Sequence, residues 1–105
     1  PGSSVTILYT DPRTTKKQDQ HARVGFAIDP ATTVKAPLQT AVLPARPVIR
    51  AKVRASMLLA PGMAYQALHN YLQPQGKDIR MPTVEIYTAG KSINKMGTIT
   101  VDMPN

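Results

Sequence analysis

The segment Arg46-Pro-Val-Ile-Arg50-Ala-Lys52-Val-Arg54-Ala-Ser-Met57 alternates with period two. One set of positions carries Arg46, Val48, Arg50, Lys52, Arg54 and Ser56. The other carries Pro47, Ile49, Ala51, Val53, Ala55 and Met57. A β-strand turns successive side chains to opposite faces, so this segment can bury an apolar face and offer a cationic one. It lies in a window, from Asp29 to Asp78, that contains no other Asp or Glu. A helix competes for the same residues, because Arg46, Arg50 and Arg54 are four apart and Pro47 suits a first helical turn. The β-branched Val48, Ile49 and Val53 favour the strand. Only the strand aligns all four cations, so a strand is expected over 48–57.

The other segments are punctuated by turn-formers. Residues 4–10 alternate Val5, Ile7 and Tyr9 with Thr6, Leu8 and Thr10, which predicts a strand with Tyr9 in the core. Asp11-Pro12 ends it. Residues 13–22 are polar and aperiodic and read as a loop. A second strand is expected over 23–28, with Val24, Phe26 and Ile28 facing inward, closed by Asp29-Pro30. Pro37, Pro44 and Pro47 exclude a helix from 31–47, leaving extended chain with a short strand at 38–43. Residues 63–72 repeat Ala64, Ala67, Leu68, Tyr71 and Leu72 at helical spacing, bounded by Pro61-Gly62 before and Pro74 with Gly76 after. Two further strands, 83–88 and 98–103, flank a long hairpin loop over 89–97. The expected fold is α+β: a small antiparallel sheet or partly open barrel, with one helix (about 62–72) before the last two strands. Pro1-Gly2-Ser3 reads as a cloning scar, leaving 4–105 as a single basic domain.

Thirteen Lys and Arg against six Asp and Glu give a net charge of +7. Such an excess attracts polyanions. Alternate strand residues lie about 6.5–7 Å apart, near the spacing of successive phosphates. Arg50, Lys52 and Arg54 are therefore expected to track a nucleic-acid backbone, with Arg46 assisting. Basic loops supplement them through Arg13, Lys16, Lys17, Lys91 and Lys95. Aromatic residues are few, four Tyr and one Phe with no Trp. Tyr87, on the polar face with Thr83 and Glu85, is the one candidate for stacking on a base. Single-stranded DNA or RNA is slightly favoured, through phosphate-dominated, sequence-tolerant contacts.

No catalytic or metal signature accompanies this charge, and neither enzyme activity nor a cofactor is expected. The chain has no Cys, which removes disulfides and thiolate ligands. Asp19 and His21 make an incomplete metal set. Glu85 and Asp102 are expected to face a Lys or Thr across the sheet rather than to pair for acid–base work. No apolar run approaches the ~20 residues of a membrane helix, and no signal-peptide pattern opens the chain. The rival expectation is a structural subunit of a homo-oligomeric assembly, such as a viral or phage coat, pilus or secretion-type array, with no nucleic-acid role. Proline-bounded edge strands suit that equally well.

Overall fold

A computed structural model describes residues 3–11, 14–56, 58–88 and 96–105. Within these residues the elements run β1 (Ser4–Leu8), β2 (Ala22–Phe26), β3 (Val48–Ser56), α1 (Ala60–Leu72), β4 (Thr83–Thr88) and β5 (Met96–Pro104). The strands form one antiparallel sheet in the order β2-β1-β4-β5-β3, not closed into a barrel. Both β3 and β4 run antiparallel to β5, so α1 is the crossover joining two parallel strands around it. This is the expected α+β architecture, with the helix between β3 and β4. The expected short strand at 38–43 is absent: residues 27–47 join β2 to β3 without regular strand structure. The proline spacing that demoted that segment to an edge removes it from the ladder altogether.

The basic segment is a strand over Val48–Ser56, as expected, and not the competing helix. Ile49, Ala51, Val53 and Ala55 point to the helix side. There they join Ile99, Val101 and Met103 of β5. α1 meets them with Ala60, Ala64, Leu68 and Leu72, one residue per turn, all buried. Fully burying a side chain such as Leu72 or Ile99 contributes about 1.5–3 kcal/mol. Among the described residues the helix backbone lies close to β3 and β5 and makes no such close approach to β1 or β2.

Five residues expected to pack are exposed instead. Val24 is 81 % exposed and Phe26 61 %, and Ile28 and Tyr9 are also exposed. Their alternation made them half-buried candidates, but no described element lies above the half-sheet on which Val24 and Phe26 sit. Tyr71, placed on the apolar helix face by its spacing, is exposed as well. The stripe that meets the sheet is narrower than the apolar pattern. No described helix is long and apolar enough to cross a membrane.

Pro61 occupies the first turn of α1, where a missing N–H costs nothing. At the other end a short 3-10 turn, Gln73–Gln75, leads into Gly76 at φ 69°. The Lys77 N–H donates to Leu72 O (3.1 Å) and the Gly76 N–H to Gln73 O (3.0 Å), the paired bonds of a Schellman stop. A Cβ added at Gly76 or at Gly62, inside α1, meets nothing within 4 Å. The two sites therefore differ only in backbone conformation, and alanine should act with opposite sign. Gly76→Ala is expected to cost about 1 kcal/mol, because a side chain disfavours positive φ. Gly62→Ala is expected to stabilise by about 0.5–1 kcal/mol. Urea midpoints of the two variants against the parent check both.

Candidate functional site

Strand register arranges the helix side of the sheet in rows. The central row reads Val24, Thr6, Glu85, Val101, Ala51 across β2, β1, β4, β5 and β3. The row on one side reads Phe26, Ser4, Tyr87, Ile99, Val53; the other reads Ala22, Leu8, Thr83, Met103, Ile49. α1 covers the β5 and β3 ends of these rows and leaves the β1 and β2 ends open. Glu85 thus sits on the middle strand at the margin of the helix. It is only 6 % exposed.

Two tyrosines hold it. Tyr65 projects from α1 and donates its hydroxyl to Glu85 Oε2 at 2.5 Å, with Thr83 Oγ1 at 2.9 Å from the same hydroxyl. Tyr87 donates to Glu85 Oε1. Each carboxylate oxygen is satisfied, yet no Lys, Arg or His forms an ion pair with Glu85 among the described residues. A buried carboxylate normally keeps its charge beside a cation or metal. Here the environment supplies hydroxyl dipoles and two aromatic rings instead. Burial, and then the bond to Glu85, push both the Tyr65 and Tyr87 hydroxyls well above the usual tyrosine range.

The structure corrects the expected orientation of β4. Thr83, Glu85 and Tyr87 share a face, as the sequence indicates, but it is the helix-side face and not the solvated one. Val84 and Ile86 point to the other side with Val5 and Ile7. Sequence reasoning therefore missed Glu85 and Tyr65 as site residues. Their signal was present: a Glu alternating with Thr and Tyr, and a tyrosine on the apolar face of the predicted helix.

Glu85's fellow buried acid is treated differently. Asp102 lies on the outer face of β5, directly across from Arg50. The guanidinium donates from Nε to Oδ1 (2.6 Å) and from Nη2 to Oδ2 (2.7 Å), a bidentate pair. The bond to Asp102, and then its charge, hold the Arg50 pKa above its ordinary value. The Arg50 side chain remains 56 % exposed, so this is a solvent-screened pair that mainly fixes geometry.

The other sequence-identified residues divide as follows. Lys52 and Arg54 are exposed on the same face as Arg50, opposite Thr100 and Thr98. Arg46 precedes β3 and donates from Nη2 to Pro82 O (3.0 Å), pinning the end of the connector beside the start of β4. Lys16 and Lys17 are exposed at a 3-10 turn, Lys17–Asp19, beyond β1. Tyr87 is drawn to Glu85, so its hydroxyl is committed. Arg13, Lys91 and Lys95 lie outside the described residues. The described residues contain no group of three His, Asp or Glu placed to hold a metal ion. Compared with protein-family models, curated proteins and solved structures, the chain has no significant match.

The tyrosine shifts set a pH dependence. Unfolded tyrosine ionises near pH ~10, whereas folded Tyr65 and Tyr87 hold their protons to higher pH. A raised folded pKa stabilises fully below the unfolded value and loses that contribution as pH climbs beyond it. Folding stability should therefore fall between about pH 10 and 12. The Tyr65→Phe/Tyr87→Phe variant should show a shallower fall. Urea unfolding across that range, followed by far-UV circular dichroism, measures both.

Proposed function

We propose that this domain is a non-catalytic binding module for a small organic cation, received at Glu85. A single observation carries the reading: a buried carboxylate in the middle of the sheet whose partners, among the described residues, are tyrosines and not a cation. A positively charged nitrogen can displace one hydroxyl from the carboxylate and form a stronger, charge-assisted bond. The rings of Tyr65 and Tyr87 favour a cation at their faces. The neighbouring surface, Leu8, Val24 and Phe26 with Thr6 and Ser4 between, is the mixed apolar and hydroxyl lining that suits an organic body. A bare metal ion fits less well, because one carboxylate and hydroxyl oxygens offer too few strong ligands. The overall charge of +7 opposes a cation at long range, but salt screens that field beyond about 8 Å.

Fluorescence and calorimetric titration with a panel of aromatic amines, quaternary ammonium compounds and their neutral isosteres tests this. Cations should bind and neutral isosteres should not. Glu85→Gln, which keeps shape and removes charge, should weaken cation binding at least about tenfold, or 1.4 kcal/mol. Equal binding of charged and neutral ligands, or an unaffected Glu85→Gln, rejects the proposal.

A second reading concerns the opposite face: phosphate contact with a nucleic-acid backbone. Its support is that Lys52 and Arg54 project from one face of β3 with no carboxylate opposite them, only Thr100 and Thr98. Arg50 stands in the same row with its charge already answered by Asp102. The Lys52→Glu/Arg54→Glu variant should lower oligonucleotide affinity. It should also flatten the slope of log K against log salt by about 0.7–0.9 for each phosphate the protein no longer neutralises. An unchanged slope in an electrophoretic shift series removes this reading.

A further inference from the structure

The two edges of the sheet are unlike. β3 carries Arg50, Lys52 and Arg54, charges that discourage another strand from adding to it. β2 is the other edge, all five residues exposed, with Arg23 its one charge. Its backbone polarity can be read from its ends. The Tyr9 N–H donates to His21 O (3.0 Å) and the Ala27 N–H to Ser3 O (2.9 Å). Antiparallel ladders alternate, so the odd-numbered residues of β2 bond to β1. Ala22, Val24 and Phe26 then turn their N–H and C=O groups outward, away from the sheet.

We propose that β2 is a self-association edge, pairing antiparallel with β2 of a second copy about a two-fold axis at Val24. The register follows from the outward groups and from charge. Hydrogen-bonded pairs must join even-numbered residues, and centring on Val24 sets Val24 against Val24 and Ala22 against Phe26. It also sets Arg23 of each copy against Gly25 of the other, so the one cation meets a residue with no side chain. Sliding by two residues in one direction puts Arg23 against Arg23. Sliding in the other direction leaves Ala22 without a strand partner. On the helix side, Phe26 beside the smaller Ala22 and the two Val24 side chains form one apolar strip, drawing in the two most exposed large apolar side chains of the sheet. A two-fold edge contact of this kind is isologous and closes at the dimer. It joins two five-stranded sheets into one of ten. The contact is small, so the dimer belongs to the weak, reversible class. Each copy carries +7, so salt should strengthen it.

Sedimentation velocity over a wide protein concentration range, at low and moderate salt, tests the proposal. The parent should pass from monomer to dimer with concentration, more readily at moderate salt. Val24→Pro removes an outward N–H, which an edge strand tolerates, and should yield a folded monomer. Gly25→Lys should weaken dimerisation at least about tenfold by placing a cation opposite Arg23. A Cβ at Gly25 meets nothing within 4 Å, so the fold accepts it. The Arg23→Glu/Gly25→Lys pair should restore the dimer by opposing unlike charges. Circular dichroism confirms that each variant is folded. A parent that stays monomeric, a dimer that survives either single change, or a charge swap that fails to restore association overturns the proposal.

Discussion

One helix lies on a sheet too wide for it. α1 has 13 residues, so it is about 20 Å long. Its diameter with side chains is about 10–12 Å, and strands lie about 4.8 Å apart. It can roof two strands fully, and it roofs β3 and β5. The alanines Ala60 and Ala64 and the leucines Leu68 and Leu72 seal that half against Ile99, Val101 and Met103. The middle strand, β4, becomes a margin, and β1 and β2 become an open shelf. The exposed Val24 and Phe26 and the placement of Glu85 follow from that mismatch of widths.

At the margin a buried charge is held without the shielding of a full core or the hydration of an open surface. Glu85 resolves this with two tyrosine hydroxyls, one from the roof and one from its own strand. Asp102, two strands nearer the cationic edge than β1 and on the opposite face, resolves it with Arg50. A chain with more than twice as many cations as acids thus places a cation against Asp102 and, among the described residues, none against Glu85. Overall charge is consequently a poor guide to the local chemistry: the basic surface lies on one side of the sheet and the buried carboxylate on the other.

Element type and order were readable from the residues, except at 38–43, where the expected strand does not form. The β3 alternation, the spacing of Ala64, Leu68 and Leu72, and the proline and glycine punctuation of α1 each rest on local sterics and period, which a sequence carries in full. Faces were readable only where one parity was plainly apolar, as in β3. In β4 the apolar parity, Val84 and Ile86, looked like the core side and was not, because the outer face also shelters half-buried apolar residues from Val5 and Ile7 to Ile86. The candidate site was hidden by that inversion. Thr83, Glu85 and Tyr87 read as a solvated row until the crossover sets α1 above them.

The sequence by itself determined the five segments that form strands (with a sixth, at 38–43, expected and not formed), which is the helix, where Arg50, Lys52 and Arg54 line up and that residues 31–47 could not be helical, since period, β-branching and proline geometry are local properties. The tertiary structure alone decided which face of the sheet the helix covers. That choice depends on the pairing order β2-β1-β4-β5-β3 and the path of the crossover, both set by contacts between residues far apart in the chain. It made Glu85 a buried acid and Tyr65 its partner and left Val24 and Phe26 exposed, because burial is a property of what lies above a residue and not of the residue.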